Sequence, residues 1–372
     1  MSKPTGILFC ALVLLAGCAT KPKEPDEIIS SPAPSPANAA LNWEDPGAAR
    51  PHTVQPVAPG MPMSKNNLPP RVVHQAAPAE PVTTWSSLNR WAAQQRLGAP
   101  QLLSSQPRTY SVNSPNGIMV LAAGSHEANW NGVELLLGFA PEFIDGQLFV
   151  HGLDLQKNLE PLLCAPPLTF DSNRVIVIDP GHGGGNTGTK SVLDGRFEKE
   201  FTLDWAERLK PLLEQEGWTV FLTRTNDAEL TLPDRIAFAE AHHAGVFISL
   251  HFNSAAPDTQ QAGLETYCLT PTGMPSNLTR GFDDTVSQNF PDNHYDDQNL
   301  RLAMRLQSAL LPASGEEDRG VRRARFMGVL SGQHQPAILI EGGYLSNPRE
   351  AEKIGSAAYR QKLAEAVANA LK

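Results

Sequence analysis

Hydrophobic and polar positions follow three different patterns along the 372-residue chain. Residues 18–83 are rich in Pro, Ala and Ser and show almost no apolar period, which is typical of a disordered linker. Residues 84–165 consist of short apolar runs separated by turn residues, which predicts a small, mostly antiparallel β domain. Residues 172–372 alternate strand-like apolar runs with segments of helical period. This alternation predicts an α/β fold with a largely parallel twisted sheet flanked by helices.

Turn signals divide the small β domain. Hairpins are predicted where Asn or Asp precedes Gly between apolar runs, at Asn116-Gly117, Asn131-Gly132 and Asp145-Gly146. Ahead of them, "WSSLNRWAAQQRLG" has the spacing of a short helix with Trp85, Leu88 and Trp91 on one face. The domain resembles the small β domain named after the N-terminal region of copper amine oxidases. That resemblance implies no copper chemistry and leaves spacing and wall contact as candidate roles.

Three strands of the predicted parallel sheet each lead to a side chain that can bind a metal or move a proton. "VIVID" leads to His182, "VFISL" to His251 and "AILI" to Glu341. The carboxyl ends of parallel strands share one edge of a sheet, and Glu198 joins that edge because its predicted helix begins there. Two imidazoles and one carboxylate make a tetrahedral zinc site with one open position. The second carboxylate is then free to act as a base.

Each of these residues also has a purely structural interpretation. His182 would be a loop residue, and Glu198 would favour the positive end of its helix. His251 would be a satisfied core histidine, and Glu341 a solvated strand end. Because these alternatives require four coincidences at one edge, we favour a shared site. The glycines after His182 lack the spacing of a phosphate-binding loop. Asp179 before it is interpreted as a turn residue, with the orientation of a metal ligand as the alternative.

Several motifs carry a resemblance to a known family. "IDPGHGGGNTG", "FEKEFTL", "VFISLHFNSA" and "AILIEGGYLSNPREAEKI" occur in the order of the zinc-dependent N-acetylmuramoyl-L-alanine amidases, the cell-wall amidases of the third amidase family. The chain resembles that family over residues 174–372. The resemblance implies hydrolysis of the amide between N-acetylmuramic acid and L-alanine in peptidoglycan. It also implies one Zn²⁺ held by His182, Glu198 and His251, with Glu341 as the catalytic residue.

Three further residues are candidates for substrate binding. Asn253 follows His251 by two residues and therefore points to the same side of a continuous strand. Arg319 and Arg322 belong to a basic patch in an acidic chain. They pair with stem-peptide carboxylates in one interpretation, which the family's Arg-Gly-Val-Lys/Arg motif supports, and form a solvated basic turn in the other. Residues 271–298 are longer than the minimal connection of the family. We interpret them as a surface loop or groove wall, with gating of the site as the alternative.

The N-terminus predicts export. An apolar run from Ile7 to Ala16 is too short to span a bilayer, so residues 1–17 are assigned as a lipoprotein signal peptide. "LAGC" resembles the lipobox of bacterial lipoproteins, which implies a lipidated Cys18 that anchors the protein to a membrane of the cell envelope. Ala19, rather than Asp, follows that cysteine, and by resemblance to the sorting rule of enterobacterial lipoproteins this implies the periplasmic face of the outer membrane. An ordinary signal peptide cleaved nearby is the alternative.

Composition and net charge limit the classes of molecule that the protein is expected to bind. The formal net charge of −9 argues against a nucleic-acid partner, whereas peptidoglycan and a membrane are predicted partners and a protein activator stays open. After processing, Cys164 and Cys268 remain, either as a disulfide or unpaired. Two other functions stay open: a zinc peptidase that cuts within the stem peptide, and a wall-binding lipoprotein without turnover.

Overall fold

The computed structural model describes residues 84–170, 172, 174–278 and 284–372. The predicted signal peptide, the linker and Cys18 lie outside these ranges, so those assignments stay predictions, as do the domain boundaries at 84–165 and 172–372. Within the described ranges, no helix combines the length and the hydropathy needed to cross a bilayer.

The small β unit contains eight strands and a helical end. Its strands are β1 (Trp85–Ser87), β2 (Gln101–Ser105), β3 (Arg108–Ser114), β4 (Gly117–Ala122), β5 (Glu127–Trp130), β6 (Val133–Leu136), β7 (Glu142–Ile144) and β8 (Gln147–His151). Its helices are α1 (Leu88–Gln94), α2 (Gly152–Asp154), a π-helical turn (Leu155–Leu159) and α3 (Glu160–Leu163).

Two of the three predicted hairpin turns lie at the predicted residues, and the third lies one residue earlier. The first helix is shorter than predicted. Asn131-Gly132 and Asp145-Gly146 have positive φ angles, as a two-residue hairpin turn requires. The first hairpin turns one residue earlier, because Gly117 already pairs with Ser114. Trp85 was expected on the helix, but it lies in β1 and pairs with β8, so the helix begins only at Leu88.

The second part of the chain alternates strands and helices as expected. Its strands are β9 (Val175–Pro180), β10 (Thr219–Leu222), β11 (Val246–Asn253), β12 (Leu264–Cys268), β13 (Asp318–Arg323) and β14 (Ala337–Tyr344). Its helices are α4 (Glu198–Gln215), α5 (Leu232–Ala241), a 3₁₀ turn (Pro291–Tyr295), α6 (Asp296–Ser314), α7 (Gly328–Ser331), α8 (Pro348–Gly355) and α9 (Ala357–Ala370).

The sheet is mixed, so the α/β class is confirmed while the parallel part is smaller than expected. Strands β10, β9, β11 and β14 run parallel in that order. Strand β12 pairs with β14 in the antiparallel direction, and β13 runs parallel to β12. The reason is the short connection between β11 and β12. No helix there carries the chain back across the sheet, so β12 starts at the edge where β11 ended.

The β unit and the α/β part share one sheet of eleven strands. Strand β6 pairs with β13 in the parallel direction at Leu135 and Val321, which extends the sheet through β5, β4, β3 and β2. One apolar cluster packs one face of the sheet and includes residues of α4, α6 and α9, and a second packs the other face with α5 and α7. The small β unit is therefore continuous with the sheet that carries the candidate site.

The described residues of the 271–298 segment lie at the edge of the sheet opposite the candidate site. They follow the carboxyl end of β12, which points away from the carboxyl end of β14. Arg325 holds them there by an ion pair of 2.9 Å to Asp284 and by hydrogen bonds to the carbonyls of Pro271 and Met274. Asn277 donates to the Leu137 carbonyl of the β unit. This position favours a structural brace over a gate.

Cysteine pairing is also decided by the fold. Cys164 is exposed at the end of α3, Cys268 is buried at the end of β12, and both are free thiols.

Candidate metal centre and active site

Three of the four candidate metal-binding and acid–base residues predicted from the sequence form one buried cluster. The ligand atoms of His182, Glu198 and His251 all lie within 4.8 Å of one another. The two Glu198 oxygens face different rings: Oε2 lies 3.0 Å from His182 Nε2, and Oε1 lies 2.9 Å from His251 Nδ1. All three side chains are buried. The strand ends and the start of α4 thus converge on one small volume.

Local backbone strain accompanies the position of His182. This residue has a φ of 63°, a left-handed conformation that a non-glycine residue adopts at a cost of about 1–3 kcal/mol. The Asn186 Oδ1 lies 2.8 Å from His182 Nδ1 and orients the ring, so that Nε2 faces the cluster. Gly188 completes the cradle, since a Cβ there would lie 2.6 Å from the Glu198 Oε2.

Two buried arginines hold the backbone that carries His182. Arg235 forms an ion pair of 2.5 Å with Asp179 and donates to the His182 carbonyl at 2.8 Å. Arg224 donates to the carbonyls of Pro180 and Gly181. The interpretation of Asp179 as a turn residue is wrong, because it lies within β9 and is buried. Burial raises the pKa of its carboxyl, but the charge of Arg235 and the hydrogen bonds from Thr223, Arg235 and Ser249 together outweigh burial, and the pKa is lowered.

The glycine loop has its amides occupied by side chains of the same chain. The Gly184 N–H donates to Asp227 at 2.8 Å, and the Gly185 N–H donates to Glu229 at 3.0 Å. A phosphate-binding loop needs such N–H groups directed at its ligand. The loop therefore serves to place His182, as the spacing of its glycines suggested.

Electrostatics inside the cluster favour an ionised carboxylate. Burial raises the pKa of Glu198, but the charges and hydrogen bonds of the two histidines outweigh burial and lower it strongly. Burial lowers the pKa of His182 too, yet Glu198 raises it above the usual value. For His251, burial dominates and the pKa is lowered. A divalent cation binds an ionised carboxylate and neutral imidazoles, so metal binding at this cluster would release the proton that Glu198 favours on His182.

Glu341 lies on β14 directly opposite His251 of β11. Its side chain is 2 % exposed, and within the described part of the chain its Oε2 accepts no hydrogen bond. Burial raises the pKa of Glu341 well above its usual range, and the charges of Glu198 and Glu265 raise it further. Such a carboxyl beside the cluster is suited to take up and hold a proton.

The three predicted substrate-binding residues meet at a carboxylate that sequence reasoning missed. Glu265 pairs with Glu341 across β12 and β14 and is buried. One of its oxygens accepts from the amide of Asn253 and, at 3.0 Å, from the Tyr344 hydroxyl. Its other oxygen lies 3.4 Å from Arg319 Nε and 3.0 Å from Arg322 Nε. These residues therefore line one surface beside the cluster, and their role in binding substrate stays a prediction.

Two functional residues, Asn186 and Glu265, had weak sequence signals. Asn186 closes the glycine loop four residues after His182, a spacing that could have marked it as an orienting group. Glu265 is a charged residue in the otherwise uncharged, fully buried strand "LETYC", and a buried charge needs partners. That mismatch was the available signal.

The fold and the site together define a class. Two histidines and a carboxylate at the carboxyl edge of a mixed α/β sheet, with a second buried carboxyl beside them, are the residue types of a metal-dependent hydrolase.

Comparison with known proteins gives the family. Residues 176–372 match the model of the N-acetylmuramoyl-L-alanine amidase family, and the chain belongs to that family. It is 32% identical over 208 residues to the uncharacterized protein YqiI of Bacillus subtilis, covering 56% of this chain and 88% of that one. It is 29% identical over 216 residues to N-acetylmuramoyl-L-alanine amidase AmiA of Escherichia coli, covering 52% and 74%. A crystal structure of an N-acetylmuramoyl-L-alanine amidase from Clostridium difficile is 31% identical, covers 54% of this chain and 96% of its own, and gives a TM-score of 0.45.

Proposed function

We propose that this chain is a zinc-dependent amidase that hydrolyses the bond between N-acetylmuramic acid and the first alanine of the peptidoglycan stem. Family membership supports the reaction. The observation that carries the metal assignment is the buried cluster of His182, Glu198 and His251. Glu341 on the neighbouring strand is the proposed catalytic residue.

The donor set fits zinc. It offers two imidazole nitrogens and one carboxylate, and two of these three ligands also have a neighbour that fixes their orientation: Asn186 for His182, and the backbone N–H groups of Thr189 and Phe252 for Glu198. When bound there, a zinc ion supplies Lewis-acid chemistry, acidifying water and polarising the scissile carbonyl.

Glu341 is the residue that transfers the proton in the proposed reaction. Its carboxylate accepts a proton from the attacking water as the new C–O bond forms. It then delivers that proton to the alanine nitrogen as the C–N bond breaks, so that the products are a carboxylic acid and a free amine. The burial of Glu341 raises its pKa, which allows it to keep the proton between the two steps.

Arg319 and Arg322 are proposed to bind a carboxylate of the stem peptide, and Asn253 to hold the substrate beside the cluster. Glu265 neutralises part of their charge and orients both guanidinium groups. Each arginine keeps about a fifth of its side chain exposed, 20% and 18%, which leaves a face available to a ligand.

Digestion of purified sacculi followed by mass spectrometry tests the reaction. The wild-type chain should release stem peptides with a free alanine amine. E341Q should retain zinc, measured by elemental analysis, and lose hydrolysis by at least about 100-fold. E365Q, an exposed carboxylate change on α9, is the matched control and should keep full activity. Cleavage between two amino acids would instead support a zinc peptidase. Unchanged wall function in E341Q would support a wall-binding protein without turnover.

We further propose that lipidation of Cys18 tethers the enzyme in the cell envelope. The support is the short apolar run followed by "LAGC". Labelling with a palmitate analogue should mark the wild-type protein. C10A, which changes the cysteine inside the predicted signal peptide, is the matched control and should also be labelled. C18A should lose both the label and membrane association. Label retained in C18A would contradict this assignment.

A further inference from the structure

A single row of residues connects the small β unit to the candidate active site. Across neighbouring strands, His251 pairs with Glu341 and Glu341 pairs with Glu265. Glu265 lies opposite the register shift at residues 319–320 of β13, because its neighbours Leu264 and Thr266 pair with Asp318 and Val321. Paired residues of a sheet point to the same face, so the row continues on one face of the sheet.

The next position in this row is Glu134 of β6. Leu135 pairs with Val321, so Glu134 stands beside Gly320. Gly320 has a φ of 81°, and a Cβ there would meet the Cβ and Cγ of Glu134 at 3.1 Å. Because Gly320 has no side chain, there is room for the Cβ and Cγ atoms of Glu134. The Glu134 N–H donates to Asp318 at 2.7 Å, which fixes the two strands to each other.

The face that carries Glu134 is the one turned away from the apolar core of the β unit. Val133 and Leu135 point into that core, whereas Glu134 and Leu136 alternate to the other face and are half-buried. Among the described helices, α3 and α6 pack against these strands, and both contribute residues to the core cluster. The outer face thus continues from the active-site edge onto the β unit.

Charge on this face suits a cation. Arg319 and Arg322 lie near Glu134 but pair with Glu265. Burial raises the pKa of Glu134, the charges of Glu127 and Asp318 raise it further, and the charges of Arg322 and Arg319 lower it. An ammonium group at this position would stabilise the ionised form of Glu134. Leu136, two residues along the same face, offers an apolar surface for an alkyl chain.

The distance between Glu134 and Glu341 matches the length of an extended stem peptide. Three strand spacings of about 4.8 Å put Glu134 about 14 Å from Glu341 along the row. An extended peptide advances about 3.4 Å per residue, so an amine on the side chain of the third stem residue can reach this position.

We propose that Glu134, supplied by the small β unit, is a specificity-determining residue that receives the side-chain ammonium group of a diamino acid in the stem peptide. This proposal rests on the proposed amidase function. The β unit would then form part of the substrate groove.

The test uses the full chain and two substrates: a muropeptide with a free side-chain amine on its third residue, and the same muropeptide acetylated at that amine. The readout is the ratio of kcat/KM for the two substrates, from chromatography of the released peptide. The wild-type chain should prefer the free amine by about three- to tenfold, as expected of a partly exposed ion pair. E134Q should bring the ratio to about one, and E134K should invert it. E142Q, a change on the exposed strand β7 of the separate three-stranded sheet, should leave the ratio unchanged.

An E134Q ratio equal to that of the wild type would overturn the proposal, as would a wild-type chain that cleaves both substrates equally well. An equal fall of kcat/KM for both substrates in E134Q would show a structural role instead and would also overturn it. A wild-type chain that releases peptide from neither substrate would mean that the amidase function itself fails.

Discussion

Gly181 makes room for the ring of His251, and replacing it with alanine should damage the metal centre while the fold remains. A Cβ at position 181 would lie 2.6 Å from His251 Nδ1 and closer still to Cε1 and Nε2. The backbone is not the obstacle, because Gly181 is not among the residues with positive φ. Ordinary contacts begin near 3.5 Å, so the ring must move by about 1 Å.

A displacement of this size removes His251 from its hydrogen bond to Glu198 and from the cluster. We expect G181A to weaken zinc binding by about 100-fold, which corresponds to about 2.7 kcal/mol. Competition with a chromophoric chelator measures the dissociation constant, and the visible spectrum of the Co²⁺-loaded protein reports the coordination. G355A is the matched control, since no atom lies within 4 Å of the added Cβ at the end of α8.

If G181A has the same zinc affinity and the same Co²⁺ spectrum as the wild type, this reasoning is refuted. Complete unfolding of G181A in chelator would refute it as well, because overpacking at one side chain costs about 1–3 kcal/mol and leaves the fold in place.

Three further predictions follow from the same contacts. R235M removes the charged partner of the buried Asp179, leaving the hydroxyl groups of Thr223 and Ser249 as donors to it. It should lower the free energy of unfolding by about 3–5 kcal/mol in chemical denaturation, and a loss below about 1 kcal/mol would contradict the role of this pair. Burial and a hydrogen bond with Glu316 raise the pKa of Glu350 to about 7, above that of an unfolded chain, so its stabilising contribution is complete below about pH 4 and is lost as the pH rises through 7. E350Q, which mimics the neutral acid, should therefore lose less stability than the wild type between pH 5 and 8 in urea unfolding, and equal losses would argue against this titration. Chelation of the metal should abolish sacculus hydrolysis, and added Zn²⁺ should restore it; activity that survives exhaustive chelation would contradict the metal assignment.

Much of the candidate site followed from local sequence. His182 follows β9, and His251 and Glu341 lie in the carboxyl-terminal halves of β11 and β14. The rule that carboxyl ends of parallel strands share an edge brought them together. The start of α4 could be placed from its polar entry and apolar period, which positioned Glu198. These are short-range signals, and they sufficed because β9, β11 and β14 do run parallel.

Glu265 escaped this reasoning because β12 runs the other way. A residue near the start of an antiparallel strand reaches the same edge as residues at the ends of parallel ones, and the pattern of a fully buried strand does not show its direction. The same reversal sends the described residues of the 271–298 segment to the far edge, where Arg325 forms an ion pair with Asp284.

The amino-acid sequence by itself determined which segments form strands and helices, which residues are chemically able to bind a metal, and the family to which they belong. Only the tertiary structure decided which strands are neighbours: that Glu265 lies beside Glu341, and that Glu134 of the β unit continues the row beyond Gly320. The physical reason is that alternation along a strand specifies which face is buried, whereas strand pairing depends on contacts between segments far apart in the chain, here nearly 190 residues for β6 and β13.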